Sequence, residues 1–299
     1  MPVLTLLLIF LFSTAWAQSL TVAATTPILA DLVREVGGSR LEVFSVVPRG
    51  ADPHSFEPRP STIRELARAR LLFANGLSLE TFLHRLEAGL PRGAQVVLLS
   101  DGAPNLICIS EAERKAELQQ GLDVHRHGLC DPHLWLEPTY ARLYAQRIQE
   151  ALSALDPAGR RHYANQLSDF LRRLEVVSNE TKACLASIPP AARRLVVQHD
   201  AFRYAARYFS FEVVGSLAHF SGQQRGPRAL SELAQRMQRE GVRVVAVEPQ
   251  FAQREAQSLA EATGAKVITL LSDTLTLETP TYLALLRHNG QTLCKAFSP

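Results

Sequence analysis

In the middle of this chain, from Asp156-Pro157 to the stop at Pro189-Pro190, apolar residues keep helical spacing for about thirty residues. Tyr163, Leu167, Phe170, Leu171, Leu174, Val177 and Ala183 mark the buried stripe. A helix of that length rises about 45 Å, more than one small domain needs. It therefore predicts a strut between two lobes. On both sides of it, strand and helix patterns alternate. Before it come strands at Leu20–Ala24, Leu41–Val47, Leu71–Ala74 and Gln95–Leu99. Helices start at Thr26-Pro27, near Ser61 as a cap, at about Leu79 and at Pro138. After it come strands at Leu195–Gln198, Glu212–Ser216, Val242–Val247 and Lys266–Leu270. Helices fall near 201–207, 228–240, 253–262 and 282–296. Such alternation implies parallel βαβ units. The expected fold is α/β: two lobes, each a mainly parallel sheet flanked by helices, joined by one long rigid helix. The expected boundaries are 18–155 for the N-terminal lobe, 156–188 for the linking helix and 189–299 for the C-terminal lobe.

Residues 1–17 stand apart. Val3 to Phe12 is an apolar run, and Ala15 and Ala17 fit an A-x-A cleavage site, giving a signal peptide cleaved after Ala17. The run is shorter than the about 20 residues of a membrane span. No cysteine sits at the cleavage point, so the sequence gives no sign of a lipid anchor there. The expected location is the periplasm. Export makes the four cysteines candidates for disulfides. Four allow three pairings. The favoured one is Cys108–Cys130, tying off a loop from Ser100 to Pro132, with Cys184–Cys294 joining two helices; free buried thiols are the alternative. Of the 299 residues, 46% are apolar and 20% charged, which excludes wholesale disorder. A net charge of +3, with scattered Lys and Arg, argues against nucleic acid.

Ligands in open α/β sheets bind beyond the carboxyl ends of strands. Four polar residues fall there. His54 follows the second strand, His133 follows the fourth strand and its long loop, His199 follows the fifth, and Asp273 follows the last. Two come from each half, so facing lobes would bring all four to one inter-lobe cleft. Three imidazoles and a carboxylate suit a divalent transition metal. Zinc takes such ligands tetrahedrally, and manganese would accept them with a bidentate carboxylate. A lone histidine is usually only a satisfied core or surface residue. The repeat of Asp-Pro-His at 52–54 and 131–133 argues otherwise, because proline restricts the backbone that aims the ring.

The segments GADPHSFEPRPS, DPHLWLEP, QHDAFRYAARYF and VEPQF, with the opening TVAATTPILADLVREVGG, resemble the zinc/manganese-binding receptors of bacterial ABC importers, the ZnuA/TroA-like family. The match runs in order from Thr21 to about Phe297. The resemblance implies two α/β lobes bridged by a long helix. It implies His54, His133, His199 and Asp273 as metal ligands, with Glu248 close by, either behind a ligand or as an alternate one. Pro53 excludes a zinc-specific variant with a carboxylate directly before the first histidine. The third histidine leans toward Zn2+, since manganese members often carry a carboxylate there; Mn2+ or Fe2+ is the alternative. His125 and His127 look like a minimal form of the family's His-rich loop, either a weak metal-capture element or a neutral solvated loop. The expected partner is an ABC importer permease at the inner membrane, and the receptor is expected to be a monomer and not an enzyme. The competing class is a zinc hydrolase with Glu248 as general base. H-E-x-x-H, G-x-S-x-G and a Walker loop are all absent from the sequence. His84, His162, His219 and His288 have no ligand context.

Overall fold

A computed structural model describes residues 20–112, 115, 128–218 and 226–298. The signal segment 1–17, His125, His127 and His219 lie outside the described residues. The first half is built from β1 (Leu20–Ala24), α1 (Pro27–Gly37), β2 (Leu41–Ser45), α2 (Pro60–Leu66), β3 (Leu71–Ala74), α3 (Leu83–Glu87), β4 (Gln95–Leu98) and α4 (Pro138–Leu155). The long helix α5 follows (Arg160–Ala186). The second half holds β5 (Arg194–His199), α6 (Arg203–Phe209), β6 (Glu212–Ala218), α7 (Pro227–Glu240), β7 (Val244–Val247), α8 (Arg254–Thr263), β8 (Lys266–Thr269) and α9 (Tyr282–Phe297).

The local chemistry explains most boundaries. Thr26 caps α1 by accepting the Leu29 N–H, Pro27 occupies the first turn, and Gly38 ends the helix at φ 56°. Ser61 does not cap α2; the helix begins one residue earlier, at Pro60, after an extended Arg59. Proline at the first turn needs no N–H partner, so it sets the start instead. Asp156 caps only a 3-10 turn, Pro157–Gly159, and also accepts bonds from Arg40 and Tyr163. The helix proper then runs 27 residues, about 40 Å.

The strands form two four-stranded parallel sheets with the same order, β2-β1-β3-β4 and β6-β5-β7-β8. Alternation along each strand feeds two cores. In the first sheet, Val22, Ala24, Leu71 and Phe73 face a core shared by both halves, while Ala23 and Leu72 face a smaller cluster with Leu66, Phe82 and Leu86. In the second, Leu195, Val197, Val244 and Ala246 join the shared core. Val196, Val245 and Val247 face Leu233, Met237 and Leu259.

The shared core is the main packing fact. It runs from α1 through α4, α5 and α9 to both sheets. The long helix is therefore not a bare strut; Phe170, Leu174, Val177 and Leu185 are part of that core. Disulfides join Cys184 on α5 to Cys294 on α9, and Cys108 to Cys130 at the neck of the long loop. Among the described residues no helix is long and apolar enough to cross a membrane.

Candidate metal centre

His54, His133, His199 and Asp273 meet where the two sheets' carboxyl ends face one another, and each offers a ligand atom within 4.8 Å of the others. All four are buried. His133 lies at the centre. Its Nε2 stands 3.1 Å from His54 Nε2, 3.3 Å from His199 Nε2 and 3.4 Å from Asp273 Oδ1. Asp273 Oδ2 is 3.3 Å from His199 Nε2 and 3.9 Å from His54 Nε2. A tetrahedron with metal–ligand bonds of about 2.0–2.1 Å has edges of about 3.3 Å. The donor set thus fits one small divalent ion. Asp273 Oδ1, buried and without a hydrogen-bond partner, fits the same reading.

Each histidine is aimed by its own device. Asp52 Oδ1 accepts the His54 N–H at 2.9 Å, and Asp131 Oδ1 accepts the His133 N–H at 3.0 Å. These are Asx turns, in which a carboxylate two residues back substitutes for a backbone turn acceptor. The repeated Asp-Pro-His is therefore a turn as well as a proline restraint. Asp131 also orients the ring, because its Oδ1 takes the His133 Nδ1–H at 2.8 Å and so leaves Nε2 with its lone pair inward. Glu248 does the same for His199, accepting from Nδ1 at 2.8 Å. Glu248 itself accepts from the Ser272 hydroxyl and from Gln250 Nε2, and Gln198 takes its backbone N–H. In this geometry Glu248 stands behind His199.

A buried polar network supports the His133 segment from the other side. Asn75 Nδ2 donates to Pro132 O at 3.0 Å, and Tyr144 OH donates to Asn75 Oδ1 at 2.6 Å. Glu80 accepts from Thr25 OH and from the Asn75 and Gly76 amides. Burial pushes the Glu80 carboxyl up, against these donors, which lower it. Sequence reasoning used Asn75-Gly76 only as a strand stop. It also missed Asp52, Asp131 and Ser272. The signal for the two aspartates was present, because each stands two residues before a histidine of the cluster, once in each copy of the motif.

The charges in the cluster are coupled. Burial works against a charged His199, but the carboxylates of Glu248 and Asp273 outweigh it and hold the imidazole well above its ordinary value. Burial likewise opposes the Asp273 carboxylate, yet His199, His133 and His54 hold it well below the usual range. Aromatic edges wall the site: Trp135 lies 5.4 Å from His133 and Phe251 5.0 Å from His199, centroid to centroid. Among the histidines without ligand context, His162 Nε2 contacts Gly37 O and His288 Nε2 contacts Thr269 O, both away from the cluster. His84 is exposed on α3.

Comparison with known proteins gives a consistent picture. The family model of ZnuA, described as zinc-uptake complex component A, periplasmic, matches residues 22–296. A putative metal-binding protein of Treponema pallidum is 28% identical over 284 residues, covering 94% of this chain and 88% of that protein. The manganese ABC transporter substrate-binding lipoprotein PsaA of Streptococcus anginosus is 24% identical, covering 94% of this chain and 90% of its own length. Among solved structures, the periplasmic zinc-binding protein TroA from Treponema pallidum superposes with a TM-score of 0.83 at 23% identity, over 94% of this chain and all of that one. The Mn-bound periplasmic metal-binding protein from Candidatus Liberibacter asiaticus gives 0.79 at 23% identity, over 93% of this chain and all of that one. At these identities the superpositions speak to the fold.

Proposed function

The chain belongs to the ZnuA family, substrate-binding proteins of metal ABC importers, and from that premise we propose that it captures Zn2+ in the periplasm and hands it to a membrane permease. His54, His133, His199 and Asp273 are the ligands in this reading. The observation that carries it is the inward convergence of three Nε2 atoms and one carboxylate at near-tetrahedral spacing in a buried site. Four protein ligands close a zinc coordination sphere, as holding requires and hydrolysis does not. The hydrolase alternative loses its general base, because Glu248 is engaged by His199 Nδ1 and Ser272. The proposed division is a signal peptide 1–17, lobes 18–155 and 189–299, and the linking helix 156–188.

Manganese is the second reading, favoured by one observation. Both oxygens of Asp273 face imidazole nitrogens, Oδ1 toward His133 and Oδ2 toward His199. That orientation allows a bidentate carboxylate and a higher coordination number, which Mn2+ accepts. PsaA relatives are described as manganese proteins.

Competitive titration of chelator-stripped protein with Zn2+ and Mn2+, with bound metal counted by mass spectrometry, separates the readings. One zinc per chain, not displaced by excess manganese, is the expected result. Retained manganese under the same competition would keep the receptor and change its cargo. No tightly held metal would overturn both.

A further inference from the structure

Asp273 belongs to a segment, residues 272–282, that leaves the second sheet after β8 and rejoins the molecule at α9. Cross-lobe hydrogen bonds run along its length. Trp135 Nε1 donates to Ser272 O at 2.7 Å, and the Gly50 N–H donates to Thr274 Oγ1 at 2.7 Å. The Arg49 guanidinium donates to two carbonyls, Thr276 O and Pro280 O, each at 3.0 Å. The Tyr282 N–H donates to Asp31 Oδ2 at 2.7 Å. In every case the other partner comes from the N-terminal half. Apolar burial along the segment is uneven: Leu275 is part of the shared core, whereas Leu277, between the two carbonyls that Arg49 holds, is 87% exposed.

Arg49 and Gly50 also lie on the loop that carries His54. One ligand-bearing loop from each lobe is therefore stitched directly to the other, outside the ligand cluster. Gly50 sits at φ 80°, a left-handed turn that suits glycine and places its N–H toward Thr274. A planar guanidinium can span two carbonyls at fixed spacing, which an ammonium does less well.

We infer that Arg49 is a positioning residue for cargo retention. It clasps the Asp273 segment against the His54 loop and sets how fast bound metal leaves. This rests on the receptor reading above. Because the two halves share a continuous core, release by wide lobe opening would break that core. Lifting the 272–282 segment breaks the bonds just named, the Ser272–Glu248 and Tyr282–Trp135 bonds and the burial of Leu275, but leaves the rest of that core packed and withdraws one ligand.

The test is chelator-capture kinetics on full-length metal-loaded protein, beside hydrogen exchange on the metal-free form. Arg49→Ala should raise the zinc off-rate about tenfold, as expected for losing two charge-assisted bonds, without lowering the on-rate. Arg49→Lys should fall between it and the wild type. Exchange across 274–282 in the metal-free protein should quicken in Arg49→Ala. Arg64→Ala, an exposed arginine on α2, should behave as wild type. An off-rate within twofold of wild type, or an equal rise in Arg64→Ala, would overturn the clasp. If wild-type protein holds no metal, the receptor reading fails. Exchange in the metal-free protein then decides the clasp alone: faster in Arg49→Ala supports it, and unchanged sinks it.

Discussion

At the scale of single residues, the cluster sorts side chains into those whose lone pairs face inward and those that turn them there. Asp131 is the clearest of the second kind, since one oxygen fixes both the backbone and the ring of His133. Asp131→Asn should weaken metal binding by about 10–100-fold, the usual cost of losing a carboxylate behind a ligand imidazole. His133→Ala should weaken it further, and His125→Ala should do far less; equal losses from the two histidines would contradict the ligand assignment. Protons compete at the same atoms. In the metal-free protein the carboxylates of Glu248 and Asp273 favour a charged His199. Metal needs the neutral ring, so each ion bound expels that proton. Affinity should therefore decline as pH falls through the raised His199 value, starting above the ordinary histidine range near 6.5. Zinc titrations across neutral and mildly acidic pH, with proton release followed by an indicator, would check it; flat affinity would refute it. The four inward residues were legible because each lies at or beyond a strand's carboxyl end, His199 directly and the other three after a loop. Ser272 was not, because its partner Glu248 lies 24 positions away in the chain and only the fold joins them.

Elements were legible where they carry strong punctuation. β1, α1, β3 and the start of α4 follow from alternation, Thr26-Pro27, Asn75-Gly76 and Pro138. The helix expected from about Leu79 shrank to Leu83–Glu87, because Leu77 and Ser78 adopt positive φ and Glu80 turns inward to accept backbone amides. Periodicity cannot reveal a carboxylate used that way. The role of α5 was also underestimated: its apolar stripe reads equally as a connector or as a wall of a shared core. Its covalent link gives a test. The Cys184–Cys294 bridge closes a loop with a sequence separation of 110. By chain-entropy arguments, replacing both cysteines with serine should cost about 5 kcal/mol of stability. Urea unfolding of the double variant would measure this. A loss under about 1 kcal/mol would mean that packing of α9 on α5 already constrains the unfolded chain.

For the whole molecule, one core spanning both sheets implies one cooperative unit. Calorimetry of the metal-free protein should show a single transition, and two resolved transitions would break that expectation. Metal adds to it by mass action. With free zinc at about 1,000 times the dissociation constant, the gain is about 4 kcal/mol, so the midpoint should climb with zinc concentration and fall back when chelator is added. The two-lobe architecture was legible from the doubled strand–helix alternation. The merging of the cores was not, because hydrophobic patterning says which face is buried and not what buries it.

The placement of α9 has a consequence for how such a chain is made. Its sixteen residues pack on α5, and Leu285, Leu286, Leu293 and Phe297 fill the shared core that the opening strand and helix also line. Its first amide is the partner of Asp31. During synthesis from the amino end, α1 emerges early and must wait for almost the entire remaining chain before its carboxylate finds that amide. A holding chaperone would be most useful in that interval, keeping an apolar, half-finished interior from sticking to its neighbours until the last helix arrives. A chain cut before Tyr282 would keep every residue of the cluster and still lack the piece that closes the protein around them.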